Sequence, residues 1–574
     1  MTFLHSTVFL LVRRSALVTM LLLGSGCGDP ASQSESSGVN GEEPSASVIE
    51  EGAWFKDVAA SAGVDFILEA DLAATPMLPE IVAGGGAAGD FDGDGRLDLY
   101  LVQATGDGGN RLFRNRGRLD FEDVSPGSGA QDGTRFGMGA ATGDFDGDGD
   151  LDIYVSNNGR DTLLRNDGDF RFVDVTEAAG LGDDGFAASA TFFDADGDGD
   201  LDLFVTRYVD WSAENELDCR RATGEPDSGA SDGYDRPRTD RLYRSEGDGR
   251  FSDVSESSGI SGSMGTGLGV AFLDVDDDGL LDLFVANDGM PDHLWMNRGG
   301  MVFEESAARA GCDRDISGEA KAGMGVAIED VDDDRDWDVL VCNLGGETDS
   351  LHLNQGGRFV DGTTRSGLAA ATRRYTRFGL GLVDFDLDGR LDLFAANGRV
   401  GVSSRSDDPE DPYAEPDLLL TGSADGRFRL VDEPGVDVES PRTSRGAIFG
   451  DFDDDGGVDI LVVDRNAPAR LLHNQMAGEG CWIVVDVRDP AGGPAIGAEV
   501  VIESGERTLR RIVRTDGSYL SARDSRVHVG LGDSSLVPMV VVRWPDGTSR
   551  SFADQPCGEI LIVPHSAANS SLSP

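Results

Sequence analysis

A nine-residue pattern with Asp at positions 1, 3, 5 and 9 occurs seven times, opening at Asp90, Asp144, Asp194, Asp274, Asp330, Asp384 and Asp451. Four carboxylates in so short a loop repel one another unless a cation lies between them. Calcium takes six to eight oxygens at about 2.3–2.6 Å, and alternate side chains of a tight loop, with one backbone carbonyl at position 7, can supply that set. A hairpin tip built only from turn formers would use Asn, Ser or Gly as readily as Asp. Seven loops that keep Asp at the same four places therefore point to coordination.

The candidate ligands fall out of the spacing. The first loop offers Asp90, Asp92, Asp94 and Asp98 with the Arg96 carbonyl; the second, Asp144, Asp146, Asp148 and Asp152 with that of Asp150; the third, Asp194, Asp196, Asp198 and Asp202 with that of Asp200. The fourth offers Asp274, Asp276, Asp278 and Asp282 with the Leu280 carbonyl, and the fifth Asp330, Asp332, Asp334 and Asp338 with that of Asp336. Asp384, Asp386, Asp388 and Asp392 with Arg390, and Asp451, Asp453, Asp455 and Asp459 with Gly457, complete the series. Position 6 is Gly95 in the first loop, where the chain must turn with positive φ. Arg335 holds that position in the fifth, and a bulky residue resists a left-handed conformation.

Each loop sits in a longer repeat, because the first Asp residues step by 54, 50, 80, 56, 54 and 67 residues. A glycine-rich apolar strand such as GMGAATGD precedes the loop. An apolar strand such as LDLYLV follows it, then a segment of the type RLFRN, then a strand led by Phe. Four short strands per period of about 50 describe a propeller blade, with Gly where backbones crowd the axis. Six repeats end in their own aromatic strand, at Phe121, Phe172, Phe251, Phe303, Phe359 and Phe428, and the seventh lacks one. A spare copy, WFKDV at Trp54–Val58, stands before the first repeat. The expectation is an all-β, seven-bladed β-propeller over residues 53–476, closed by that displaced strand, which removes an open sheet edge. A small β-rich domain over 477–565 follows, since WIVVDV and MVVVRW read as strands and PDG as a hairpin turn.

At 574 residues and a formal charge of −57, the chain is too acidic for nucleic acid or a bare anionic membrane to be a partner. Residues 1–27 read as an export signal: Arg13 and Arg14 precede ALVTMLLLG, which is too short for a membrane span. GSGC resembles the lipobox of bacterial lipoproteins, with Cys27 the residue to be lipidated, although Gly24 stands where Leu is usual. Membrane association is expected only through that lipid, on a flexible polar linker over 28–52, and residues 566–574 read as a disordered tail. Of the other five cysteines, Cys481 and Cys557 bracket the C-terminal domain and are the best candidate disulfide. Polar insertions, Val209–Asp240 and Arg399–Pro416, interrupt two repeats and are candidate binding loops.

The repeats resemble the FG-GAP (VCBS) repeats of the integrin α-subunit propeller, whose calcium loops share the Asp spacing and whose opening strand is echoed by FGMGAA and FGLGLV. GCWIVVDV, AIGAEV, GSYLSA, VHVGLG and VVVRWPDG resemble the blocks of the ASPIC/UnbV domain. Together they resemble the cartilage acidic protein 1 family, which implies an exported, calcium-binding, extracellular module and no reaction.

The expected function is binding of a protein or glycan ligand in the envelope or outside the cell, with up to seven structural Ca2+ ions. The alternative is a calcium-assisted polysaccharide lyase or hydrolase on a propeller scaffold. Little favours it: no HExxH or GxSxG occurs, and His293, His352 and His473 fall in separate repeats on the strand that follows the loop strand. A catalytic cluster unique to one repeat, in the central pocket, would mark such an enzyme. His528, in the alternating stretch RVHVGL, is expected to face away from the core of its domain as a surface or turn residue.

Overall fold

The computed structural model describes residues 52–565, apart from 71–75, 106–108, 134, 221–223, 225–226, 228–235, 403–410, 479 and 506. The export signal, Cys27, almost all of the linker and the C-terminal tail lie outside the described residues. No helix among the described residues is long and apolar enough to cross a membrane.

Among the described residues, strands preceding Cys481 fall into seven sets of four antiparallel strands, two of them joined into one larger sheet where Asp184–Phe186 pairs with Asn158–Arg160. Each set begins with the strand entering an Asp loop: Gly86–Gly89, Phe136–Gly143, Asp184–Phe193, Gly267–Leu273, Val326–Glu329, Arg377–Val383 and Ser444–Gly450. These inner strands contact one another in that order, and the last returns to the first. The fold is all-β and propeller-like.

The spare aromatic strand does what its spacing suggests. Phe55–Asp57 pairs antiparallel with Arg470–Asn474, Phe55 opposite Asn474, and supplies the outer strand that the last set lacks. Phe55 is buried and meets Phe385 of the preceding repeat edge-on at 5.3 Å. The same contact recurs around the ring, where Phe121 meets Phe452 at 6.2 Å and Phe172 meets Phe91 at 6.1 Å. Position 2 of a loop is thus an apolar socket for the outer aromatic strand of the next repeat.

After the ring, the strands Trp482–Val487, Val527–Gly530 and Glu559–Val563 form one sheet, and Glu499–Ser504, Arg507–Ile512, Val537–Arg543 and Ser549–Gln555 another. Their facing sides bury a core that includes Val485, Val500, Ile502, Val540 and Val542. Cys481 and Cys557 are disulfide-bonded, the expected pair, while Cys312 and Cys342 are buried free thiols and Cys219 is a half-buried one.

Between the two sheets the chain leaves the domain and enters the ring. Residues Arg514–Asp524 run along the axis and bond to all seven inner strands. Ala522 N–H donates to Gly86 O (2.9 Å), Ala140 N–H to Leu520 O (3.0 Å), and Thr191 and Phe272 donate to the Asp516 carboxylate (3.0 and 2.9 Å). Val326 exchanges backbone bonds with Ser518, whose hydroxyl accepts from Leu380 N–H and donates to Ala447 O. At the far end the Tyr519 hydroxyl donates to Val82 O (2.8 Å). Gly139 explains why the inner strands are rich in glycine: a Cβ there would lie 2.4 Å from Leu520 O. The central channel is therefore filled by the chain itself.

Candidate metal loops and the domain docked on them

All seven loops share one hydrogen-bond pattern. The position 1 carboxylate accepts the N–H of position 6, as Asp90 from Gly95 (2.9 Å) and Asp330 from Arg335 (3.1 Å). Position 5 accepts from position 7, as Asp94 from Arg96 (3.1 Å) and Asp388 from Arg390 (2.8 Å). The closing Asp at position 9 uses one oxygen for the N–H of position 2 and the other for a backbone N–H at the end of the next strand. Asp98 thus accepts from Phe91 (3.0 Å) and Asn115 (2.8 Å). Such side chain to backbone bonds are what make Asp a turn residue, so part of each carboxylate's task is to shape the loop.

A structural task alone leaves oxygens over. Asp146, Asp196, Asp330, Asp384 and Asp453 each hold one buried carboxylate oxygen without a hydrogen-bond partner. Buried acceptors are ordinarily satisfied, and an unmet one points to an ion or water. The carboxylates also converge: one oxygen each of Asp90, Asp92 and Asp94 lie within 4.8 Å of one another, as do those of Asp144, Asp146 and Asp152, of Asp194, Asp196 and Asp202, and of Asp274, Asp276 and Asp282. Burial, with the like charge of neighbouring loop carboxylates, pushes Asp98, Asp338 and Asp384 up to about 8 and Asp144, Asp202, Asp282, Asp330 and Asp451 to about 7. A cation beside such carboxyls would favour their ionised form at neutral pH. The donor set, all hard oxygen, fits calcium.

Arg335 does adopt the conformation that its bulk opposes, with φ of 78°. The fifth loop therefore has the same backbone course as the others. His473 stands beside the seventh loop. Its ring lies 3.4 Å from Asp453 and 3.7 Å from Asp455, and although burial pulls its pKa down, the proximity of these carboxylates raises it to about 10. Arg114 plays the same part in the first repeat, 2.7 Å from Asp92. His293 and His352 are buried away from the loops, and burial lowers both to about 4.

Two further sets of residues carried no role in the sequence reading. The first is the Asn that ends RLFRN-type segments. Asn115, Asn166, Asn297, Asn354 and Asn474 each donate to the position 2 carbonyl of the preceding repeat, at 2.7–3.0 Å, so each staples two repeats together. Recurrence of that Asn was the available signal.

The second set is position 4, which is left-handed in every loop. Gly93, Gly147 and Gly197 occupy it in the first three, with open space where a Cβ would stand. In the other four it is Asp277, Asp333, Leu387 and Asp454, at φ of 56–61°. Each of those side chains or backbones grips the C-terminal domain. Arg510 pairs with Asp277 (2.9 Å), Arg507 with Asp333 (2.9 and 3.0 Å) and Arg526 with Asp454 (3.0 Å), while Gly532 N–H donates to Leu387 O (2.8 Å). A non-glycine residue at a strained position marks an acquired contact, and here the contact is the docking surface. His528 lies in that interface, stacked on Trp482 and 2.6 Å from Gly456 O, so it faces the seventh loop rather than solvent.

Comparison with known proteins agrees with this architecture. The FG-GAP-like repeat profile matches residues 90–155, 144–205, 228–285 and 274–341, and the ASPIC and UnbV profile residues 490–570. Cartilage acidic protein 1 of Mus musculus is 28% identical over 322 residues, 54% of this chain and 47% of that protein; the Homo sapiens protein is 28% identical over 323 residues, 54% and 46%. The match spans about half the length of these curated relatives. A solved structure of an Agrocybe aegerita lectin, described as recognising non-reducing terminal N-acetylglucosamine, is similar with a TM-score of 0.35 and 15% identity, over 67% of this chain and 86% of that one. The chain thus carries FG-GAP-like repeats followed by an ASPIC and UnbV domain, and over about half of its length it is similar to cartilage acidic protein 1.

Proposed function

We propose that this is a non-enzymatic, exported binding module whose repeats are organised by calcium, and that it engages a protein or glycan ligand at the cell envelope or outside the cell. The observation that carries the calcium part is the buried, unpartnered carboxylate oxygen in five of the loops. Asp at positions 1, 3, 5 and 9 would hold the ion with the position 7 carbonyl, neutralising charge that otherwise opposes folding. The filled axis supports a binding role over catalysis, since Tyr519 and Leu520 occupy the place where a propeller enzyme would keep its pocket. The docked domain covers part of the loop face, and the opposite face is a second surface open to partners. Strand connections alternate between faces, which puts the described ends of both insertions there, and Val402 N–H donates to Asp227 across them (3.0 Å). Export, and lipidation at Cys27, are part of the same reading and rest on the N-terminal sequence alone.

The direct test is thermal unfolding of the mature protein with calcium and with chelator, alongside equilibrium dialysis to count retained ions. Calcium that binds only the folded state stabilises it by about 3–4 kcal/mol per site at a hundred to a thousand times its dissociation constant. A rise in midpoint of many degrees is the expected result. Equal midpoints with no ion retained would refute the reading.

A further inference from the structure

The stapling Asn is missing from two repeats, the third, which has Ser245, and the sixth, and the junction at the sixth makes a site. The sixth repeat has Gly422 where five others have the stapling Asn, so no side chain there reaches the Val331 carbonyl of the fifth loop. The Asn could not be restored in place, because a Cβ at Gly422 would lie 2.2 Å from Leu391 O. Between the two repeats a cavity of about 390 Å³ opens, a volume within the range of small-molecule sites.

Its lining gathers five arginines beside Asp330, Asp332, Asp333 and Asp425. Arg365, Arg390, Arg427, Arg507 and Arg511 converge on it from the fifth and sixth repeats and from the C-terminal domain. Two of them hold their carboxylate partners loosely, Arg365 to Asp332 at 3.6 Å and Arg427 to Asp425 at 3.9 Å, and both are more than half exposed. Asp330, with its unpartnered buried oxygen, lies on the same wall, so an ion in the fifth loop would add further positive charge there. Acceptors and hydroxyls stand beside the guanidinium groups at Asp425, Ser366 and Ser423, and buried Leu353 and Phe428 give the floor an apolar strip. Planar forks match a carboxylate. Acidic and hydroxyl groups match the hydroxyls that a simple anion lacks, and the apolar strip matches the C–H face of a sugar ring.

We propose that this cavity is a binding site for a uronate-bearing saccharide, with the carboxylate held by Arg365 and Arg427 and the ring hydroxyls by Asp425, Ser366 and Ser423. The charge argument rests in part on calcium occupying the fifth loop. Titration calorimetry on the full mature chain in calcium, with cellobiouronic acid as the probe, tests it directly. Cellobiose, inorganic sulfate and a short glutamate peptide serve as the other arms. Binding of the uronate at least tenfold tighter than the other three, lost at least tenfold in R365A/R427A and kept in R250A, is the expected outcome. Arg250 is an exposed residue of the third repeat, remote from the cavity. Absence of uronate binding, equal binding of the peptide or of sulfate, or an unaffected double variant would each overturn the proposal. Ions retained by each protein are counted separately by dialysis. Calcium retained without uronate binding defeats this site alone, whereas no calcium retained defeats the metal reading.

Discussion

Two substitutions per repeat decide what each loop does beyond holding its own shape. The Asn staples convert a loop carbonyl into an inter-repeat bond, and their loss leaves buried carbonyls unmet. Asn354 donates to Val275 O (2.9 Å), while its own carbonyl accepts from Gly357 N–H (2.9 Å). Asn354→Ala is expected to cost about 2–3 kcal/mol, read as a lower midpoint in urea with an unchanged slope; a cost below half a kcal/mol would remove the staple from the account. The Asp ligands were legible because charge repulsion admits few explanations. Position 4 was not, since Gly and Asp are both ordinary turn residues until the φ of 56° at Asp454, and Arg526 opposite it, are seen.

Strands and loops differ in how much of themselves the sequence displays. The inner strands, the loop strands and the aromatic outer strands announce themselves by composition and by a repeat that recurs seven times, and the closing strand by being one copy out of place. Phe55→Ala, which empties the socket against Phe385 and frees the closing strand, is expected to lower stability by about 3–5 kcal/mol. Thermal unfolding compared with Val360→Ala, an exposed position on the outer strand of the fifth repeat, supplies the reference, and equal midpoints would argue against closure by that strand. The axial segment Arg514–Asp524 left no such trace. It is a polar, glycine- and serine-containing stretch with no periodicity, ordered because seven inner strands bond to it. Its partners' glycines were legible as crowding at an axis, but what crowds them was not. Gly139→Ala drives a methyl group into Leu520 O, and the expected result is faster proteolysis within 514–524 in a protein that keeps its far-ultraviolet spectrum.

For the molecule as a whole, the net charge of −57 and the position of the loops beneath the C-terminal domain make protonation and metal binding competitors for the same carboxylates. The sign follows from the raised values. A carboxyl whose pKa is higher folded than unfolded binds more protons in the folded state between those two values, so in the absence of metal its contribution is full below pH 4 and is lost as pH rises through the folded pKa. Asp282, moved by burial from 3.8 to about 7, alone carries about 4 kcal/mol across that window, and Asp98 and Asp338 extend it to about pH 8. Chelated protein is therefore expected to lose stability steadily from pH 4 to pH 8, by far more than one residue's share. Calcium replaces the protons with a cation that does not leave at neutral pH, so the loaded protein should show a nearly flat profile over the same range, and the gap between the two curves should widen upward. Arg507, Arg510 and Arg526 hold the docked domain through Asp333, Asp277 and Asp454 of the same loops, so protease cuts at the boundary near residue 478 should follow the chelated curve and be suppressed on the loaded one. Denaturant titrations at pH 5 and pH 8, with and without the ion, measure all of this; chelated protein that is equally stable at both would mean that the clustered acids are not desolvated together, and the loops would lose their need for a metal.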